Sequence, residues 1–260
     1  MTENPQDKVF VSGRQFGRIP SKIDKRDWFL DDFTPDVMIF TICDEREWLF
    51  PQETLDQGNT PHCVGYSMAH FGINLPTYTK YTEEDAEEFY YDCKELDGEP
   101  KKENGTTVRN AAKILQTIGA IEHYAFAKNI DQIKWWLLNK GPLIMGTIWT
   151  ETMMKPNTDG TLPVGGYIVG GHAYIVNELR ADGCFGIQNS WGDDWGLAGK
   201  AYISEEDFEY LFSYGGEALA AVELESYKAE KENWFIKIIK KILKALNINC
   251  NKLNYQYPSS

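Results

Sequence analysis

The sequence predicts an α+β fold in two lobes, a helical lobe followed by an antiparallel β lobe, with a cleft between them. Three observations predict it. Helix-period segments occupy the first half of the chain. Beyond Pro142 the pattern changes to β-branched and aromatic runs punctuated by glycine. A length of 260 residues with 42% hydrophobic content suits one large domain with a real core, without disulfides or structural metal.

Each element has a local reason. NTPHC (59–63) is a loop carrying a proline, and VGYSMAHFGI then follows with the spacing of a buried helix. A second helix is predicted at 82–96, where Thr82 and Asp85 form a capping box and Glu83 and Glu84 suit the positive helix end. A third spans 106–118 and stops at Gly119, and a fourth spans 130–139, ahead of Gly141-Pro142. LIMGTIW, GYIVGGHAYIVNEL and FGIQNSW read as strands, the last two joined through an Asp182-Gly183 turn. Residues 1–18 form a short N-terminal extension whose pattern does not say where it lies. Residues 19–225 form the domain, with an insertion around 33–50 whose run VMIFTIC is expected to pack on the body. Residues 226–260 form a basic tail.

Charge and motif content remove several function classes. The net charge of −13 argues against nucleic-acid binding, which draws its affinity from Lys and Arg. The imbalance is uneven: residues 226–260 hold seven Lys and two Glu, or +5, leaving −18 on residues 1–225. Five scattered cysteines, with no C-x-x-C pair, are neither a disulfide framework nor a zinc pattern. H-E-x-x-H, the phosphate-loop motif and G-x-G-x-x-G are all missing. No apolar run reaches transmembrane length and the first 20 residues do not read as a signal peptide, so the expected location is cytoplasmic or virion-associated.

The remaining chemistry centres on Cys63, at a loop-to-helix junction where a helix N-terminus favours thiolate. A nucleophilic thiol needs a base, and the base needs an orienting group. His172 lies on the strand entered through Gly170-Gly171, and Asn189 ends the neighbouring strand across the hairpin. Gln57, six residues before Cys63, has an amide able to donate to an oxyanion, as does the Cys63 backbone N–H.

The ordered set Gln57, Cys63, His172, Asn189, with Asn189-Ser190-Trp191-Gly192 and Trp195-Gly196, resembles the papain-like cysteine peptidases. The resemblance runs over roughly residues 19–225, through IPSKIDKRDW, DQGNTPHCVGYS, YTEEDAEEFYYDC, NGTTVRNAAKILQTIGAI, GGHAYIVNEL and QNSWGDDWGLAGKAYIS. It implies an endopeptidase that cleaves peptide bonds through a thioester acyl-enzyme, without metal or organic cofactor. Cys63 is then the nucleophile, His172 the general base and acid, Asn189 its orienting partner and Gln57 an oxyanion donor. Trp191 would shield the His172–Asn189 hydrogen bond. The expected partner is a peptide or protein substrate.

The sequence also departs from the family. Thr60 replaces the cysteine found three residues ahead of the nucleophile, where family members form a disulfide, and this fits a reducing compartment. Val64 stands where an aromatic is usual, and His62 is expected as an exposed loop side chain rather than a second base. No long inhibitory pro-region precedes the domain, as in a bacterial or viral type of member. Two other functions share these residues: a transpeptidase or cell-wall amidase with the same thiol chemistry, and a weak or inactive structural component of a larger assembly. The segment 233–246, with Trp234, Ile238, Ile242 and Leu246 on one face and Lys237, Lys240, Lys241 and Lys244 on the other, is a basic amphipathic helix. It suits self-docking on the acidic body or a protein partner before an anionic membrane.

Overall fold

A computed structural model describes residues 13–36, 38, 40 and 44–222. The chain falls into two units, 1–222 and 223–260. The amphipathic segment 233–246 and most of VMIFTIC therefore lie outside the described residues.

In the first half, β1 (Arg18–Ile19) and β2 (Arg46–Glu47) are short strands, followed by α1 (Cys63–Ile73) and α2 (Glu83–Leu96). Next come β3 (Thr106–Thr107) and α3 (Val108–Thr117). All eleven residues of α1 are buried, as expected of a helix that is apolar on every side. Gly65 permits this, because a Cβ there would overlap the Ala86 carbonyl of α2. The capping box of α2 forms as predicted, with the Thr82 hydroxyl accepting from the Asp85 N–H and the Asp85 carboxylate accepting from the Thr82 N–H. The predicted helix 106–118 is divided. Its first two residues pair in parallel with β1, and Thr107 then caps α3 by accepting from the Asn110 N–H.

The second half contains β4 (His123–Phe126), α4 (Ile130–Asn139), β5 (Leu143–Thr150), β6 (Ile168–Leu179) and β7 (Phe185–Gln188). It closes with β8 (Lys200–Ile203), α5 (Glu205–Ser213) and β9 (Glu217–Val222). Seven strands form one antiparallel sheet in the order β4-β9-β5-β6-β7-β8, and β2 adds to β6 beyond the end of β5. Part of the apparent insertion thus becomes a sheet strand. Trp48 behind it is buried and donates to the Leu137 carbonyl at 2.7 Å. The hairpin predicted at Asp182-Gly183 is present, with Gly183 at φ 84° and the Cys184 N–H donating to the Asp182 carboxylate.

One core joins the two lobes. It includes Val64, Met68, Ala69 and Ile73 of α1 together with Ile144, Ala173, Ile175 and Leu219 of the sheet. The start of α1 is thereby pressed against β6 at Ala173, the neighbour of His172. Among the described residues, no helix is long and apolar enough to cross a membrane.

Candidate active site

Cys63 is the first residue of α1 and is fully buried. Burial pushes its thiol up to about 11, while backbone amides of Ala173, Gly17 and Val64 pull the other way. The position thus favours a thiolate locally through aligned N–H groups, but loss of water favours the thiol, and water loss wins in this conformation. His62, expected to be exposed, is 3% exposed. Its ring stacks on Tyr90 at 3.9 Å and its Nε2 lies 2.7 Å from a Glu103 carboxylate oxygen. That flat aromatic neighbour and its carboxylate, contributed by α2 and the loop after it, draw the ring inward. Sequence spacing does not reveal either of them.

His172 sits opposite Thr147 in the β5–β6 pairing. Its Nε2 lies 2.7 Å from Asn189 Oδ1, and the same oxygen accepts the Ser190 N–H at 2.8 Å. An oxygen already held as acceptor requires His172 Nε2 to be the protonated nitrogen. Nδ1 is therefore the free lone pair, buried and without a hydrogen-bond partner. Burial lowers the imidazole to about 4, and the Asn189 contact only partly opposes this. Trp191 lies against the ring, tilted, at a centroid distance of 5.1 Å. Trp149 approaches even closer, edge-on at 4.7 Å. The sequence reading missed Trp149. It is two residues along β5 from Thr147, and that period-2 spacing is the one signal that could have placed it on the His172 face.

Gln57 is held through four of its groups, one of them its backbone carbonyl, which accepts from the Thr60 hydroxyl at 2.7 Å. Its backbone N–H donates to the Ser190 carbonyl at 3.0 Å and its Oε1 accepts from the Ser190 hydroxyl at 2.7 Å. Its Nε2 donates to the Thr60 carbonyl at 2.7 Å and to the Gln15 carbonyl at 3.3 Å. Ser190, inside the recognised motif but given no role there, therefore orients the Gln57 amide. His70 of α1 fastens the same loop from below, its Nε2 accepting from the Leu55 N–H at 3.1 Å.

The Gln15 contact shows where the N-terminal extension goes. Residues 14–18 cross the cleft. Arg14 pairs with the Asp56 carboxylate and donates to the carbonyls of Gly58 and Trp191. The Phe16 ring lies edge-on to His172 at 6.0 Å and to Trp191 at 6.2 Å. Gly17 fits under Pro61 because it has no Cβ, and its carbonyl accepts the Thr106 N–H at 2.8 Å. This segment lies against His172, Trp191 and the loop ahead of Cys63, and both Cys63 and His172 are fully buried.

Three solved structures share this architecture. Xylellain, a cysteine protease from Xylella fastidiosa, superposes with a TM-score of 0.64 at 17% identity, covering 86% of this chain and 100% of that one. A procathepsin B from Trypanosoma congolense matches with a TM-score of 0.60 at 14% identity, over 80% and 85% of the two chains. The digestive procathepsin L 3 of Tenebrio molitor gives 0.55 at 13% identity, over 76% of each. The fold is papain-like. No protein-family model matches the chain, and no curated protein matches it by sequence.

Within the papain-like fold, Cys63 and Gln57 come from the helical side and His172, Asn189 and Trp191 from the sheet side. Contacts link the five residues singled out from the sequence: Cys63 lies against Ala173, the neighbour of His172, and Gln57 is tied to Ser190, which stands between Asn189 and Trp191. At identities of 13–17% the likeness is one of architecture.

Proposed function

We propose that the chain is a cysteine-type peptidase acting through Cys63, His172 and Asn189. The observation that carries the reading is the imidazole of His172, tied to Asn189 through Nε2 while its Nδ1 is left unpartnered in the cleft that holds the thiol. Nδ1 takes the Cys63 proton, and the thiolate sulfur attacks the substrate carbonyl carbon. The resulting oxyanion is met by the Cys63 N–H and the Gln57 Nε2–H. Collapse breaks the C–N bond as the His172 Nδ1–H protonates the departing amine, leaving a thioester. A water then gives its proton to Nδ1 and its oxygen to the acyl carbon, the C–S bond breaks to release the carboxylic acid, and the Nδ1 proton returns to the sulfur. Trp191 and Trp149 exclude water from the His172–Asn189 hydrogen bond, which strengthens it.

The cleft must shed residues 14–18 before a peptide can enter, so the conformation described here is a closed one. A rival reading follows from the same observation: a permanently closed cleft belongs to an inactive binding component of an assembly. Covalent labelling decides between them. The reduced full-length protein is treated with a peptidyl epoxide and mapped by intact mass and peptide analysis. One adduct on Cys63 that is lost in His172→Ala supports the peptidase. A folded protein without the adduct, even after Arg14→Ala and Phe16→Ala loosen the segment, supports the binding component.

A further inference from the structure

His62 stands directly ahead of Cys63, and the proposed chemistry leaves its side chain unused. It is the N-cap of α1, at φ −91° and ψ 11°, and its ring makes no capping hydrogen bond. The other four α-helices among the described residues are capped in the usual way: Thr82, Thr107, Asn129 and Ser204 each accept a backbone N–H from the first turn of their own helix. At α1, no side-chain oxygen competes for those N–H groups, and the Val64 amide faces the Cys63 sulfur instead. The His62 ring is fastened sideways. It stacks on Tyr90 with 25° between the planes, meets Tyr91 edge-on at 5.5 Å, and places Nε2 2.7 Å from one Glu103 carboxylate oxygen. The other Glu103 oxygen accepts the Tyr91 hydroxyl at 2.6 Å. An ionised carboxylate is acceptor-only, so Nε2 is the donor in this contact.

We infer that His62 is a positioning residue for the reaction, anchored by Glu103 and Tyr90, and that it aims the Cys63 N–H as an oxyanion donor. The inference rests on the peptidase reading for its catalytic consequence. The His62 carbonyl and the Cys63 N–H belong to one planar peptide, so rotation about the His62 ψ swings that N–H. The carbonyl end is held by the helix, where it accepts the Tyr66 N–H at 3.1 Å. The α-carbon end is held by the ring. Its φ and ψ lie in a sparsely populated backbone region, which persists only where the surroundings maintain it. An ordinary capping side chain would fix the residue by bonding into the first turn, where the thiolate and the oxyanion need the donors. Fastening through α2 and the loop after it fixes the residue and leaves those donors available. Thr60, in the position of the family's disulfide cysteine, turns its hydroxyl back to the Gln57 carbonyl. The His62–Glu103 contact thus ties the loop ahead of the thiol to the segment after α2 without a covalent bond.

The test compares full-length Glu103→Ala with His62→Phe, which keeps a flat ring against Tyr90 and loses Nε2. In protein carrying nitrogen-15 cysteine, the Cys63 amide resonance is assigned by its loss in Cys63→Ala, and it reports the setting of the peptide whether or not the thiol reacts. Glu103→Ala is expected to move this resonance by more than its linewidth and to leave the Cys184 amide in place. An unmoved Cys63 amide overturns the inference. The second readout is the aldehyde acetyl-Leu-Leu-norleucinal, in which the thiol sulfur bonds to the carbonyl carbon and the resulting oxygen meets the oxyanion donors. It is titrated as protection of Cys63 against iodoacetamide, whose displacement of iodide needs no oxyanion donor, in the Arg14→Ala/Phe16→Ala protein. Glu103→Ala and His62→Phe should each weaken the aldehyde at least tenfold, and together no more than singly, with the iodoacetamide rate within twofold. Unchanged aldehyde affinity overturns the inference and leaves the peptidase reading standing. If iodoacetamide alkylates Cys63 and the aldehyde protects no variant, the peptidase reading falls, and the amide comparison alone decides whether the pair sets the peptide. Should His62→Phe not fold, Glu103→Ala carries both readouts.

Discussion

The two walls of the cleft are built by different means. On the helical side, Cys63 is placed by the start of a helix buried on all sides, and Gln57 by a loop that His70 and Ser190 tie down. On the sheet side, His172 and Asn189 are placed by antiparallel register and held in a shell of Trp149 and Trp191. The first wall is fixed by one helix that cannot shift without opening the core. The second is fixed by hydrogen-bond pairing, where a slip by one residue would turn His172 to the other face. Position therefore depends on packing in one wall and on register in the other, and substitutions should discriminate between them.

The largest effect is expected from Cys63→Ala, which removes the nucleophile and should abolish both labelling and any peptide hydrolysis measured by mass spectrometry; residual cleavage would place the chemistry elsewhere. His172→Ala should lower the rate by about 10² to 10⁴-fold, the range for losing a general acid–base group. Asn189→Ala frees the ring that it holds and should act less strongly on the rate, with a stability loss of about 1–3 kcal/mol from the Ser190 N–H left unpaired. A fall in stability well beyond that would mean that Asn189 serves the sheet rather than the imidazole.

Packing of the first wall is probed by Gly65→Ala. The added methyl meets the backbone of α2, so a loss of about 1–3 kcal/mol in denaturant unfolding is expected. A neutral result would show that α1 can move away from α2, against the idea of a wall fixed by packing.

The last expected effect is on pH dependence, and it is read from stability rather than from rate. Burial holds His70 at about 3 and His172 at about 4, below the ordinary value of 6.5. Between those values the unfolded chain binds more protons than the folded one, so this stability is present above about pH 6.5 and declines as pH falls towards 4. Each imidazole contributes a slope of up to about 1.4 kcal/mol per pH unit, readable as a falling urea midpoint. Opening the second wall to water with Arg14→Ala/Phe16→Ala should flatten the part due to His172 and leave the His70 part. The same variant should lower the pH midpoint of Cys63 alkylation relative to the unaltered protein, because returning water removes the burial that pushes the thiol up.

The site residues were legible because each sits where local pattern is strong. Cys63 follows a proline loop and opens an apolar helix, His172 follows two glycines, and Asn189 follows a short strand past an Asp-Gly turn. Other features were not legible. Arg46–Glu47 shows no alternation of its own and becomes a strand only because β6 extends past β5 and offers it an edge. His62 reads as loop, and Tyr90, 28 residues away, draws it into the core. Arg14, Phe16 and Arg18 form no periodic pattern, because a segment shaped by the cleft need not carry a pattern of its own.

By itself the sequence determined the α+β order, the helix starts at Cys63, Glu83 and Ile130, the Asp182-Gly183 hairpin, and four side chains in the order of a thiol site. Those properties follow from neighbours within a few residues: caps, turn geometry and the spacing of apolar positions. Only the tertiary structure decided that Nδ1 of His172 is the free nitrogen, that Ser190 aims Gln57, and that the chain lays residues 14–18 over its own thiol with Arg18 paired to Glu217. These features are contacts between residues as many as 199 positions apart. Their energies come from burial and hydrogen bonding that exist only once the two lobes have met.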